Sequence, residues 1–431
     1  MANKGKKKNR GKKRTTTTQH RNLTPKNDFD ECHYYANLGC HIANVARCCT
    51  VIEAMRNHPW LLGIEPFDPN DYDPQDLEHI PEVAMNDGEP DEYGECEMTL
   101  TLTNVKDTTS ILFVTVYDVD LCGADGNILN SGWNYTTRNS TTATTNTTTQ
   151  QRKCTTFIVL CPPKTFVHLA TLVPNQYIEV DSQRMPIETW SQIEIESDVQ
   201  PWSHHDQPND EHKHLLHFPF HANEEEVVND DQATKSYLCS QSENGNLTHF
   251  FHGNYHAVDF ACPIGTPLYS AVNGIVVEVK DGGKCATNSA TTATNDDNED
   301  PIIEVSGIAA TNLFHWNSIM IQATDVNTND DDDPLFIEYV HIQSKSCTVQ
   351  VGDTVKRGQF LSRSGSVGFS PEPHLHLAAY RSGGVDAATV RVRFQNGLLN
   401  DGEDDVGRSF LPQVGQWYNQ NGLVESDLVG K

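Results

Sequence analysis

The chain has 431 residues, 37% of them hydrophobic and 8% aromatic, with 59 acidic side chains against 31 basic ones and a formal net charge of −28. That length exceeds what one ordinary core supports and points to two folded domains with tails. The charge argues against a general nucleic-acid binder, and no apolar run is long enough for a transmembrane segment.

Residues 1–14, MANKGKKKNRGKKR, hold eight Lys or Arg and no acid. Residues 1–28 therefore read as a basic disordered tail, with a localisation or anion-binding arm as the sharper alternative. No apolar h-region follows, so no secretory signal is visible. Against that, twelve cysteines and five N-x-S/T sequons (Asn22, Asn134, Asn139, Asn146 and Asn246) suit an extracellular or secretory-lumen setting where disulfides form. These opposed signs leave the localisation open.

Residues 29–93 form a Cys-containing segment and an acidic linker. Cys32, Cys40, Cys48 and Cys49 surround a helix predicted from Ile42 to Arg56, and their spacing lacks the tight pairs of a zinc finger. Local disulfides or buried thiols are the simpler reading. From 94 to 198 the runs "EMTLTLTNV", "SILFVTVYDVD", "CTTFIVLCPP" and "FVHLATLVP" alternate or stay apolar between turn residues, which predicts a β-sandwich-like domain. Within it, "NYTTRNSTTATTNTTTQ" reads as a long surface loop. Residues 199–236, rich in His and acid, read as a solvated linker. Residues 237–394 are again β-like, with "TNDDNED" and "NTNDDDDP" as solvent loops, and 395–431 read as an acidic, Gly-rich tail.

The chemistry concentrates in that last β-like region. In "PEPHLHLAAY", His374 and His376 stand two apart in a strand and share one face, with Leu375 and Leu377 turned into a core. Two neighbouring imidazoles can divide the work of holding a metal and moving a proton. "YVHIQ" puts His341 in a strand with Tyr339 on the same face. Glycines 352, 358, 365 and 368 are spaced as turns. Upstream, Asp259 opens a strand in the histidine-rich "LTHFFHGNYHAVDFACPIGTPLYSAVNGIVVEV".

The stretches "HAVDFACPIGTPLYSAVNGIVV", "YVHI", "VGDTVKRGQ" and "SGSVGFSPEPHLHL" resemble the M23 family of zinc metallopeptidases, the lysostaphin and LytM type, over residues 239–381. The resemblance implies a mostly β protein in which the sandwich-like domain precedes an M23-type antiparallel β-sheet peptidase domain. It implies Zn2+ as cofactor, Asp259 and His376 as ligands, and His341 and His374 as catalytic histidines flanking a metal-activated water. Zinc held by three protein ligands keeps a fourth position for water and lowers its pKa. The implied reaction is endopeptidase hydrolysis of a peptidoglycan cross-link or a similar Gly-rich peptide.

The third ligand departs from the family pattern H-x-x-x-D, because Tyr255 stands four residues before Asp259. His256, three residues before, points away in a regular strand unless a bulge turns it. His249 resembles the histidine of an M23 subgroup with a G-x-[FL]-[ST]-H segment, and a loop could return it to the metal; His252 is a further candidate. The departure keeps open a catalytically inactive M23-like binding or signalling module. Cys239 and Cys262 flank this region and either pair or remain buried thiols.

Overall fold

The computed structural model describes residues 29–77, 79–87, 97–139, 148–180, 182–202, 214–222, 235–250, 252–282, 284–287, 302–324, 334–382, 387–395 and 409–424. The basic tail, and the two acidic inserts up to Pro334, lie outside them.

The chain is mostly β, as its alternating and apolar runs imply. Its C-terminal half forms a ten-stranded sheet. Along its centre, Ser318–Ala323, Phe336–Val340, His374–Tyr380, Val258–Ala261 and Tyr237–Gln241 lie side by side, each antiparallel to the next. Strand alternation sets the two faces. Leu375 and Leu377 are fully buried with Phe260, Ile337 and Tyr339 in one apolar cluster. His374 and His376 therefore face the other way.

The N-terminal half holds a seven-stranded and a five-stranded sheet. Ser110–Tyr117 is buried along its whole length because both its faces are covered. Leu112, Val114 and Val116 share a core with Leu100, Leu102 and Val167 of the smaller sheet. Ile111 and Phe113 face the opposite way, into a core with Tyr35, Leu247, Phe250, Ile308 and Phe369. That third core joins the two halves. A strand from the C-terminal half, Ile302–Gly307, also completes the N-terminal sheet by pairing with Gly132–Asn139, and Gly368–Phe369 adds to it in parallel.

Several segments differ from their sequence expectation. The helix expected over Ile42–Arg56 is instead the strand Cys40–Ala43, a short 3-10 turn and the helix Val51–Asn57, because Cys40–Ala43 pairs with Thr156–Val159 and a Thr50 cap restarts the helix. The ends of the Thr-rich tract are strand, with Thr136 opposite Gln150 and Thr137 opposite Thr149; β-branched threonines suit cross-strand pairing. The acidic linker supplies Gly63–Pro66 and Val83–Asp87 to the five-stranded sheet. His214–Leu216 and Trp417–Asn419, expected as linker and tail, pair with Val392–Gln395 and Tyr237–Gln241.

Cys239 and Cys262 are not bridged; both are free thiols. Cys239 sits opposite Phe260, so Cys262 is its diagonal neighbour. Diagonal neighbours lie about 7–8 Å apart, beyond ordinary disulfide reach. Both thiols are buried, and burial pushes the Cys262 thiol up to about 12.

Candidate metal centre

The register places Asp259 directly opposite His376 on the adjacent strand, both on the polar face. Their side chains meet, His376 Nδ1 lying 2.9 Å from Asp259 Oδ1. The loop between Tyr237–Gln241 and Val258–Ala261 then brings His249 Nε2 to 3.3 Å from both His376 Nδ1 and Asp259 Oδ1. All three residues are buried, and their ligand atoms lie within 4.8 Å of one another. His256 does not join them. Its Nδ1 bonds the Thr389 backbone oxygen at 2.9 Å, and its Nε2 lies 3.7 Å from Glu243 Oε1. It lies in the turn before the strand Val258–Ala261, outside the ladder, and its bonds to Thr389 hold it away from Asp259. His252 also lies outside the group.

The donor set fits zinc in chemistry and in spacing. Two imidazoles and a carboxylate are ordinary zinc ligands with bonds of about 2.0–2.2 Å, and a tetrahedron with bonds of that length has edges of about 3.3–3.6 Å. The observed triangle has sides of 2.9, 3.3 and 3.3 Å. His249 Nδ1 sits 3.1 Å from the Ser242 backbone oxygen. An N–H given to that carbonyl leaves the Nε2 lone pair facing Asp259 and His376, as a ligating histidine requires. Burial opposes ionisation of Asp259, but His249, His374 and His376 together hold its carboxyl well below the usual range.

His341 reaches the site by a route that parity does not anticipate. Val340 pairs with His376, so in a continued strand residue 341 would fall on the core face beside Tyr339. The strand ends at Val340, and His341 takes φ 62°, in the left-handed region a side chain seldom adopts. That turn swings its ring to the polar face, 4.5 Å from His374 and 6.1 Å from His376, centroid to centroid. Such strain is found where a functional side chain must be aimed. Gly368, at φ 100°, makes room, because a Cβ there would sit 3.1 Å from Trp316 Cβ and 3.4 Å from His341 Nδ1.

The two rim histidines are held alike. His341 Nδ1 lies 2.6 Å from the Val367 oxygen, and His374 Nδ1 lies 2.8 Å from the Glu372 oxygen. An N–H given to each carbonyl leaves both Nε2 atoms as acceptors. Burial, reinforced by His374 and His376, pushes the His341 imidazole well below its ordinary value, so it stays neutral. A cleft of about 770 Å³ has Ala261, Arg363, Glu372, Pro373 and Trp417 in its wall, and none of the five site residues lines it.

Two features were missed in the sequence. Gln241, at the end of an apolar strand, donates to Asp259 Oδ2 at 2.9 Å; a polar residue closing such a strand was the available signal. The Glu31–Ala36 helix reaches the same region from the far end of the chain. Tyr34 donates to Glu372, and Glu31 accepts from the Asn246 backbone and side chain. Nothing in the local sequence marks that contact.

No protein-family model matches the chain. The curated glycyl-glycine endopeptidase ALE-1 of Staphylococcus capitis is 29% identical over 125 residues, which is 29% of this chain and 24% of that protein. The chain thus spans about a quarter of the length of that relative. Among solved structures, lysostaphin in solution is 26% identical, over 31% of this chain and 39% of that one, with a TM-score of 0.19. The catalytic domain of the prophage-encoded M23 protein EnpA from Enterococcus faecalis is 20% identical, over 36% and 88%, with a TM-score of 0.23. The M23 resemblance read from the sequence is borne out by the curated match, and the chain has the mostly β fold it implied. Among the described residues no helix is long and apolar enough to cross a membrane.

Proposed function

We propose that the chain is a zinc-dependent endopeptidase that hydrolyses peptide cross-links of peptidoglycan or similar Gly-rich peptides. The observation that carries this reading is the convergence of His249, Asp259 and His376 with His341 and His374 on one face of one sheet. The sequence likeness to a glycyl-glycine endopeptidase supports the substrate class.

In this reading His249, Asp259 and His376 hold the zinc ion. A zinc ion so held supplies Lewis acidity to a peptide carbonyl and to water. His374 keeps its Nδ1–H on the Glu372 carbonyl, which fixes the ring and leaves Nε2 to take a proton from the attacking water and return it to the departing amine. His341, neutral and held by Val367, offers a second Nε2 beside the His374 ring. Whichever imidazole carries the proton can donate it toward the oxyanion that develops at the carbonyl.

The test is zinc content together with cleavage of oligoglycine and peptidoglycan fragments by the full chain. One zinc per chain and cleavage lost on chelation are the expected results. A protein that takes up no zinc on titration refutes the reading. Zinc retained with peptide bound but uncut makes the chain a binding module instead.

A further inference from the structure

We propose that Gln241 is a positioning residue that fixes Asp259 and the His249 loop relative to each other. The inference rests on the metal reading above. Where a strand such as H-x-x-x-D carries both ligands, the backbone sets their separation. Here the two come from positions 249 and 259, with a loop between them, and some other group must fix the distance.

Gln241 is fully buried, and its amide is fully used. Its Oε1 accepts from three successive backbone N–H groups, those of Leu247 at 3.0 Å, Thr248 at 2.8 Å and His249 at 3.1 Å. Successive N–H groups that converge this way form a concave nest suited to an oxygen. Its Nε2 spends one hydrogen on Asp259 Oδ2 at 2.9 Å and the other on Thr248 Oγ1 at 3.1 Å. The amide cannot be flipped without setting its oxygen against the carboxylate and its NH2 against the three N–H groups.

The backbone is built to aim this side chain. The pairing steps from Cys239 opposite Phe260 to Gln241 opposite Asp259, two residues on one strand against one on the other. A bulge of that kind turns Gln241 onto the face that carries Asp259. The loop closes around the side chain as well: a Cβ on Gly245 would lie 2.4 Å from Gln241 Cγ. One amide thus orients the Asp259 carboxylate from behind and holds the peptide of His249, the part partner-fixing groups play around bound metals.

The test measures zinc affinity by chelator competition, the visible spectrum of the cobalt(II)-substituted protein, and the thermal unfolding of the metal-free protein. It uses the full chain and Gln241→Met, which keeps the side-chain length and loses the amide. Zinc affinity should fall about 10–100-fold, the usual cost of removing such a partner, and the cobalt spectrum should change. Unchanged affinity and an unchanged cobalt spectrum overturn the proposal, whether or not the metal-free protein melts lower, since a melting change alone marks a merely structural residue. Should Gln241→Met not fold, Gln241→Asn decides on the same criteria, because it keeps the amide but is one methylene too short to reach both partners. A wild-type chain that binds no zinc removes the metal reading itself; wild-type binding with variants equally tight removes only the role of Gln241.

Discussion

His374 and His376 share a strand face yet differ in what they touch, and their variants should fail differently. His376 contacts Asp259 and His249, whereas His374 is held by the Glu372 carbonyl and its Nε2 lies 3.9 Å from Asp259 Oδ2. His376→Ala is expected to lose zinc and activity together. His374→Ala should keep its zinc and lose about 10²–10⁴-fold in turnover, the usual share of a positioned acid–base group, and His341→Ala should follow it. Metal analysis beside peptide-cleavage kinetics separates the two patterns; zinc lost from His374→Ala but kept by His376→Ala would reverse the roles. The shared face of this pair was legible, because two-residue alternation fixes it and Leu375 and Leu377 supply the opposite core. The route of His341 was not. One left-handed residue undoes parity, and no residue type announces such a turn at a histidine.

At the scale of elements, the loop from 242 to 257 decides which histidine reaches Asp259. His249→Ala should abolish zinc binding, and His256→Ala should leave it intact, since His256 is committed to Thr389. Zinc titration of both variants reads this directly, and loss from His256→Ala alone would overturn the arrangement. Gly245→Ala is a subtler probe, because the added methyl would press on Gln241. It should cost about 1–3 kcal/mol of stability, as overpacking does, and weaken zinc as well, both measurable by unfolding with and without the metal. The central strands around this loop were readable from apolar runs that bury themselves on one face. The outlying strands Gly63–Pro66, Val83–Asp87 and Trp417–Asn419 were not. Their acidic, Pro-rich or Gly-rich sequences have weak strand preference, and partners far along the chain decide their pairing.

At the scale of the whole molecule, the His249 loop is gripped by the N-terminal half, so the site is not the property of one segment. Leu247 and Phe250, on either side of His249, lie in the core that also holds Tyr35, Ile111 and Phe113. Arg47 bonds Asn244 and stacks over Phe250, Asn44 bonds Asn246, and Trp202 donates to the Phe250 oxygen at 3.1 Å. Asn246, read in the sequence as a sequon, spends its side-chain amide on Glu31. Glu31 is the sharpest probe of this grip. Burial, opposed by bonds from Asn246, raises its carboxyl from 4.5 to about 7. The folded value lies above the unfolded one, so the protonated form is favoured in the fold. Its contribution is fully present below about pH 4.5 and is lost as the pH rises through about 7. Glu31→Gln cannot ionise, so wild type should lose stability relative to the variant across that window, by up to roughly 3 kcal/mol, and the difference should stay level above it. Denaturant unfolding of both proteins from pH 4 to 8 measures the difference, and effects of other titrating groups cancel between them. A difference that stays flat from pH 4.5 to 7 would mean that Glu31 is not enclosed against the loop, and the N-terminal half would then not hold His249 in place.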